Sequence, residues 1–258
     1  MIGVLLSQKY VEHPLLLSPR GELVLSPGAS DVPATSSVKF DVRQLVLVTS
    51  WRPLCIHIFD SFYLRLATAV YDTSPAGISQ RFAHVCNYSV QKHAGKDAWC
   101  DETEESAGLD ATDTLTSEDL RRKLQSARGA EIGDQLFRHQ VLEPMRAAIV
   151  LTLRAAEPHV HHRRNSFELY GMDFVIDQQL RPWLLEVNLS PALNKRTPYM
   201  ASMLSAMADD LVGIVLRMYK QPTVRAQRAQ RPSHSDTRSV VLAMYELECF
   251  LLCASIYE

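Results

Sequence analysis

The chain has 258 residues, with 27 basic and 29 acidic side chains, 47% hydrophobic residues and a formal net charge of -2 at pH 7. A chain of this size and composition can bury a substantial core as one large domain or two small ones, and its charge excludes a globally basic nucleic-acid-binding protein. Its 10 glycines include no Gly-x-Gly or Walker-type run, which on its own argues against a nucleotide enzyme with a glycine-rich phosphate loop.

The five cysteines are scattered and include no Cys-x-x-Cys pair, which indicates a reducing compartment and argues against a disulfide framework or a structural zinc site. Residues 1–6 are apolar but lack a basic flank, so we expect no signal peptide. The apolar stretch Val240–Ile256 carries two glutamates and is shorter than the ~20 residues that cross a bilayer. We therefore expect a cytoplasmic protein with no membrane and no nucleic-acid partner.

The first predicted elements are a short buried strand over residues 4–11 and a second strand or extended loop over residues 14–26. A stretch rich in Pro, Gly, Ser and Ala then predicts a surface loop from Ser26 to Ser37. Beyond it, runs of β-branched and aromatic residues separated by turn formers predict a meander of antiparallel strands. The strands are expected at 42–49, 54–59 and 62–68, with turns at Ser50–Pro53 and Asp60–Ser61.

Nine acidic residues and no basic one lie between Asp97 and Asp119, which predicts a solvated loop without a core of its own. Thr116 followed three residues later by Asp119 resembles a capping box and predicts a helix over residues 117–127.

Two further helices are predicted from apolar residues at helical spacing. The first ends near Pro158, and its stripe is Ile132, Leu136, Val141, Met145, Ile149 and Leu153. The second starts with Thr197 as N-cap and Pro198 at the first helical position. Its stripe is Met200, Met203, Leu204, Met207, Leu211 and Val215.

A candidate β-hairpin over residues 167–188 consists of two runs of strand-forming residues joined by a short polar turn. The strand period of 2 places Glu186 and Asn188 on one face, about 6.5–7 Å apart along the strand, together with Leu184. If Asp173 faces them across the hairpin, three side chains with oxygen donors converge on one spot.

Such a set suits Mg²⁺, which takes a few carboxylate or amide oxygens and completes its shell with water and phosphates. A Glu and an Asn on a strand are equally typical of a face turned to solvent. Glu186, however, lies inside the apolar run Trp183–Val187, and burying an unpaired carboxylate is costly. The residues alone therefore leave a magnesium site and a solvent-facing strand equally open.

This hairpin resembles the metal-binding signature of the tubulin tyrosine ligase-like family, ATP-grasp enzymes that join an amino acid to a tubulin side chain or terminus. The signature, Phe-Glu-Leu-Tyr-Gly-x-Asp-Phe and then Arg-Pro-Trp-Leu-x-Glu-x-Asn-x-Ser-Pro, lies at residues 167–191. Other segments resemble family motifs in the family's order, so the resemblance covers residues 8–220. They are Gln8–Leu16, Lys39–Arg43, Tyr63–Arg65 and His84–Lys92.

The resemblance implies an α+β, ATP-grasp-like fold, of which this chain would hold the central and C-terminal parts as an antiparallel sheet flanked by helices. ATP and Mg²⁺ are the implied cofactors, with the metal held by Asp173, Glu186 and Asn188. Arg43 and Arg65 are the implied catalytic residues, which would grip a carboxylate or the transferring phosphate. Contacts to the nucleotide are implied for Gln8, Lys9, Tyr10, Val11, Lys39, Asp41 and Asn87.

Within the family, the segments 40–56 and 63–65 are most similar to the glycine-adding branch, the monoglycylases. The implied reaction makes an acylphosphate from a glutamate side chain of a tubulin tail, and the amine of glycine then attacks it. The implied partners are acidic tubulin tails of microtubules and free glycine. The protein is expected to be a monomer in the cytoplasm, on the cytoskeleton and in the cilium or axoneme. A glutamate-adding enzyme of the same family is an alternative.

The resemblance starts at Gln8–Leu16, a few residues after Met1, which is similar to the family's adenine-contacting hinge and is called the hinge below. In the family an N-terminal domain and a glycine-rich flap with a phosphate-binding lysine precede that hinge, and we expect this chain to lack them, which would explain its low glycine count. The expected organisation is a partial catalytic domain at 1–220 and, at 221–258, a disordered tail that ends in a short apolar helix. A truncated, inactive remnant that binds tubulin tails is a further alternative, through Lys39, Arg43, Arg52, Arg65 and Lys92.

Two residues of the His84–Lys92 motif, His84 and Cys86, have side chains that could take part in chemistry. His84 is either a functional histidine or a structural one with satisfied hydrogen bonds, and the sequence does not decide between them. Cys86 stands where many relatives have Thr. We expect no catalytic thiolate there, because ATP-grasp ligation needs no cysteine.

Overall fold

The computed structural model describes residues 8–25, 36–94, 115–193 and 197–220. Their centre is an antiparallel sheet in which the long strand β3 pairs with β4 on one edge and with β1 and β6 on the other, while β5 and β7 lie outside β4 and β6. The strands are β1 (Leu16–Leu17), β2 (Leu23–Val24), β3 (Val38–Trp51), β4 (Leu54–Val70), β5 (Leu115–Thr116), β6 (Glu168–Ile176) and β7 (Pro182–Leu189).

Helices flank this sheet. They are α1 (Arg81–His84), α2 (Tyr88–Gln91), α3 (Ser117–Arg128), α4 (Ala130–Leu136), α5 (Glu143–Ala156) and α6 (Pro198–Lys220). The predicted capping box of α3 is confirmed, because the Asp119 amide donates to Thr116 Oγ1 at 3.0 Å and the Thr116 amide donates back to Asp119 Oδ2 at 2.9 Å. The predicted N-cap of α6 is confirmed by the Met200 amide, which donates to Thr197 Oγ1 at 3.1 Å.

The meander prediction was wrong at Asp60–Ser61, since β4 runs through both residues as one strand. The register passes from Gln44 opposite Phe62 to Val46 opposite Ile58, so the pair lies in a bulge. The Gln44 side chain donates to the carbonyls of Phe59 and Leu45, at 2.7 and 3.1 Å. The Gln44 amide therefore bonds a backbone carbonyl that has no partner in the sheet at the bulge. Turn propensities along the sequence do not show this contact.

The long predicted helix is present, but a π-helical turn over Phe137–Leu142 joins α4 to α5. The spacing of five between Leu136 and Val141 falls on that turn, where the helix admits one extra residue. Ile132 is 56% exposed, so the predicted stripe was wrong at its first position. The buried stripe starts instead at Gly133, where a Cβ would lie 2.4 Å from the backbone of Gln125 in α3.

Strand alternation divides the sheet into two faces. The main core packs α3–α5 against one face, through residues such as Phe40, Phe62, Met172 and Phe174. On the opposite face the first half of α6 packs on Leu45 and Tyr63, through Met200, Met203, Leu204 and Met207. The same face also carries Asp41, Arg43, Arg65 and Asp173.

Within the described residues, α6 is the one helix whose length and apolar composition, over Pro198–Met218, would suffice to cross a membrane. Core helices of soluble proteins pass the same test, and the methionines of α6 pack on the sheet. Of the predicted stripe, Leu211 and Val215 are only half-buried. Four predictions fall wholly or partly outside the described residues. The parts outside are residues 4–7 of the first strand, residues 26–35 of the surface loop, residues 97–114 of the acidic loop and the whole tail at 221–258.

Candidate active site

Charged side chains form a row across four strands on the face opposite the main core. Register places Arg65 of β4 opposite Asp41 of β3, Arg43 of β3 opposite Asp173 of β6, and Asp173 opposite Glu186 of β7. The period of 2 that buries Phe40 and Val42 turns Asp41 and Arg43 to this face. The row therefore follows from strand pairing and not from neighbours along the chain.

Asp173 is the hub of the row and is 1% exposed. Arg43 donates to both of its oxygens, with Nη2 at 3.0 Å from Oδ2, and Arg65 Nη2 donates to Oδ2 at 2.8 Å. Arg65 also forms a bidentate pair with Asp41, at 2.7 and 2.6 Å. Planar guanidinium groups suit such paired contacts, and each of these two arginines and two aspartates has a partner of opposite sign.

The environment of Asp173 favours its ionised form. Burial acts to raise the pKa of Asp173, but the hydrogen bonds from Arg43 and the charge of Arg65 outweigh burial and hold that pKa below its ordinary value. The pKa of Arg65 is raised: burial acts to lower it, but Asp41 and Asp173 outweigh burial. Both groups therefore stay charged at neutral pH.

The three predicted metal ligands lie together. Asp173 and Glu186 are a cross-strand pair, and Asn188 Nδ2 donates to Asp173 Oδ2 and to the Gly171 carbonyl, both at 3.3 Å. Among the described residues no group of three His, Cys, Asp or Glu side chains could hold a metal ion, so the third donor here is an amide. Two carboxylates and an amide fit a hard cation that keeps water or phosphate in its other positions.

Glu186 lies in an apolar run of the sequence but is exposed on an outer strand, so the cost of burying a carboxylate does not argue for a metal there. A register shift after Asp173 pairs Phe174 with Leu184, so that Leu184 packs with the main core instead of sharing a face with Glu186. Because of the extra residue at this bulge, Leu184 packs with the main core while Glu186, on the same short strand, lies in the charged row.

The predicted nucleotide residues divide into two groups. Lys39 is 6% exposed and its ammonium donates to Tyr10 Oη at 3.3 Å and to the His84 carbonyl at 2.9 Å, while Asn87 Nδ2 donates to Glu186 Oε1 at 3.1 Å. Asn87 thus contacts the β7 end of the charged row, whereas Lys39, two residues before Asp41 on β3, contacts Tyr10. Gln8 donates to the Leu184 carbonyl at 3.0 Å, Lys9 is exposed and Val11 is half-buried.

Comparison with known proteins gives the family. The model of the tubulin-tyrosine ligase family matches residues 2–224. The chain belongs to this family. Its antiparallel sheet flanked by helices is the α+β, ATP-grasp-like fold that the sequence motifs imply.

Relatives of two kinds are similar to this member of the family. Protein monoglycylase TTLL8 of Homo sapiens is 33% identical over 210 residues, which are 81% of this chain and 21% of that protein. Tubulin monoglycylase TTLL3 of Danio rerio is 34% identical over 209 residues, 81% of this chain and 23% of that protein. Tubulin polyglutamylase TTLL5 of Homo sapiens is 33% identical over 236 residues, 91% of this chain and 17% of that protein. The chain spans about a fifth of the length of these relatives.

Sequence reasoning missed two residues that shape the tubulin-tyrosine ligase signature. Asp177 accepts from the Gln179 and Arg181 amides, from Arg181 Nε and from Trp183 Nε1, all at 2.9 Å, and so holds the turn that sets the register of β6 and β7. A Cβ on Gly171 would lie 2.8 Å from Pro191 and 3.1 Å from Arg43 Cδ. This glycine leaves the space in which Arg43 lies across β6.

Gln91 was quoted within a motif but given no role. Its side chain accepts from the Thr68 amide and hydroxyl and donates to the carbonyls of Phe82 and Val85. The amide therefore ties α1 and α2 to β4, beside the charged row. A glutamine with this many partners is recognisable only once the fold is known.

Proposed function

We propose that the charged face is the active site of an ATP- and Mg²⁺-dependent ligase that adds an amino acid to glutamate side chains of tubulin tails. The observation that carries this proposal is the convergence of Asp173, Glu186 and Asn188 with two arginines and Lys39 on one open face. The family and the tubulin-modifying names of its relatives supply the substrate class.

The residues divide the work of such a reaction. Tyr10 and Lys39 would bind the nucleotide together with Gln8, Lys9 and Val11, while Asp41 would take the ribose and Asn87 would lie near the metal pair. Arg43 and Arg65 would hold the anionic groups that react, because fixed guanidinium forks orient carboxylates and phosphates without reorganising. Bound Mg²⁺ would neutralise phosphate charge beside Asp173, Glu186 and Asn188.

This arrangement fits the acylphosphate route. A carboxylate oxygen of a tail glutamate would attack the γ-phosphate of ATP as ADP leaves. The amine of the incoming amino acid would then attack the carbonyl carbon of the acylphosphate and lose a proton as phosphate leaves. The protein's contribution would be positioning and charge stabilisation, because the nucleophiles of this route are the glutamate of the tail and the incoming amine.

We propose glycine as the amino acid, because two of the relatives quoted above are monoglycylases. Glutamate is the second candidate, since the human polyglutamylase matches 91% of this chain at 33% identity. The substrate would place the protein in the cytoplasm on microtubules, including those of cilia. We further propose that residues 1–220 are a partial catalytic domain that acts as a monomer.

The test is transfer of radiolabelled glycine or glutamate to a tubulin-tail peptide with ATP and Mg²⁺, using the 258-residue chain and a longer chain extended by the N-terminal part typical of the family. Glu186→Gln should abolish transfer, while Glu131→Gln, an exposed helical glutamate, should leave it unchanged. If only the longer chain transfers an amino acid, the 258-residue chain is the inactive remnant described as the alternative. If neither chain transfers either amino acid, the proposed function is wrong.

A further inference from the structure

His84 joins two segments that the proposed function assigns to the nucleotide. Its Nδ1 lies 2.7 Å from Tyr10 Oη and its Nε2 lies 3.1 Å from the Gly77 carbonyl oxygen. The imidazole packs edge-on against the rings of Tyr10 and Tyr71, at centroid distances of 5.7 and 5.4 Å. Through its carbonyl the same residue accepts from Lys39 Nζ at 2.9 Å. His84 therefore touches the hinge and Lys39 at once.

For a neutral imidazole, the contacts favour Nε2 as the ring nitrogen that carries the hydrogen. The Lys39 ammonium has donors and no acceptor, so Tyr10 Oη accepts from it at 3.3 Å. Tyr71 Oη also lies near Tyr10 and donates its own hydrogen to the Glu12 carbonyl. In this arrangement the single hydroxyl hydrogen of Tyr10 bonds His84 Nδ1, which accepts it unprotonated. A carbonyl only accepts, so His84 Nε2 carries the hydrogen that it donates to Gly77. Lys39, Tyr10, His84 and Gly77 thus form one directed chain of hydrogen bonds.

The loop that supplies the last acceptor is tightly built. A Cβ on Gly77 would lie 2.2 Å from the Asp72 carboxyl carbon, so a larger residue at this position would displace Asp72 or the turn. Tyr71 flanks the imidazole and donates through Oη to the Glu12 carbonyl at 2.8 Å, which holds the hinge from its other side. Two elements therefore fix the hinge through His84 and Tyr71.

We propose that His84, as the neutral tautomer protonated at Nε2, is a positioning residue that orients Tyr10 and the Lys39 ammonium for a purine nucleotide. This proposal rests on the proposed function for the identity of the ligand. Lys39 uses two of its three N–H groups within the described residues. These two hydrogen bonds fix the direction of the third N–H group, so that it is already aligned to donate to an acceptor atom of the nucleotide.

Three variants separate this role from a merely structural one. His84→Asn keeps an acceptor near the position of Nδ1, His84→Ala removes it, and Tyr10→Phe removes the hydroxyl between His84 and Lys39. His93→Ala, at an exposed histidine after α2, is the matched control. In all of them the carbonyl of residue 84 remains, so the comparison isolates the imidazole.

We expect His84→Ala and Tyr10→Phe each to weaken ATP binding on the order of tenfold, measured by titration calorimetry. Each substitution breaks the series of hydrogen bonds that ends at the charged Lys39 ammonium. Their double variant should be little weaker than either single one, and His84→Asn should recover most of the affinity. Additive losses, or equal binding by His84→Ala and His93→Ala, would overturn the proposal.

A second readout does not need a nucleotide. In ¹⁵N-labelled protein, His84 Nδ1 should show the shift of an unprotonated nitrogen, and mass spectrometry should find Lys39 acetylated faster in His84→Ala than in the wild type or His84→Asn. If the wild type binds no ATP, the proposed function fails, and these two measurements still decide the positioning role. A protonated Nδ1, or equal acetylation in all variants, would refute it.

Discussion

Replacing Arg43 by Met tests whether the charged row is held together as the contacts indicate. Asp173 would keep Arg65 at 2.8 Å and Asn188 at 3.3 Å but lose both bonds from Arg43. Removing the whole partner of a buried charge costs about 3–5 kcal/mol, and with about half of the contacts retained we expect a loss of about 2 kcal/mol. Methionine preserves most of the aliphatic part of the arginine side chain. The loss of stability therefore reports on the missing charge and hydrogen bonds.

The measurement is the free energy of unfolding in urea, without nucleotide. The control is Arg122→Met, because Arg122 is 65% exposed and its ion pairs are 3.6 and 3.8 Å long, so its removal should cost less than about 0.5 kcal/mol. The double variant Arg43→Met/Asp173→Asn should be more stable than the sum of the single losses predicts, by about 1–2 kcal/mol. Equal losses for Arg43→Met and Arg122→Met, or strict additivity, would refute the reasoning.

Three smaller changes have equally definite outcomes. Gly171→Ala should lower the free energy of unfolding by about 1–3 kcal/mol, since the new Cβ would crowd Arg43; an unchanged urea midpoint would contradict this. Burial raises the pKa of the Cys86 thiol, so a maleimide should label half-buried Cys55 well before Cys86 in the native protein, as peptide mass spectrometry would show. Burial lowers the pKa of His57, so stability should be complete above the unfolded pKa of ~6.5 and fall as the pH drops through the lower folded value, an effect that His57→Gln should remove.

Strand periodicity predicted part of the carboxylate arrangement. Alternation within the 167–188 hairpin placed Glu186 and Asn188 on one face and left the position of Asp173 across the hairpin as a condition, which the register meets by pairing Asp173 with Glu186 directly. The shared face was therefore accessible from a period of 2, whereas the position of Asp173 depends on the pairing between strands. The same rule placed Leu184 wrongly, because a bulge shifts the parity of every residue beyond it and leaves no mark in the hydrophobic pattern.

Burial was harder to predict than direction. Glu186 lies in an apolar run that is typical of a buried strand, yet β7 has a hydrogen-bonded neighbour on one side within the described residues, and Trp183 is 46% exposed. The order of strands in a sheet depends on long-range pairing, which local composition does not contain. His84 escaped assignment for a related reason, since its partners Tyr10 and Gly77 are distant or inconspicuous in the sequence.

The charged row also predicts how a cation and an anion would affect each other's binding. An anion taken by Arg43 and Arg65 must compete with Asp173, which both arginines now hold. A cation bound at Asp173 would neutralise the charge of that carboxylate when the arginines move away from it. The two ligands should therefore bind with positive coupling, typically ~1–3 kcal/mol, and the coupling should be reciprocal.

We therefore expect Mg²⁺ to increase the rise in melting temperature that ATP produces, compared with ATP in EDTA. Adenosine, which carries no phosphate, is the matched control and should stabilise the protein equally with and without Mg²⁺. Asp173→Asn should remove the magnesium dependence while retaining a shift with adenosine. An ATP shift that is the same in Mg²⁺ and in EDTA would mean that Asp173 keeps its arginines when the phosphates bind, and the competition argued here would then be absent.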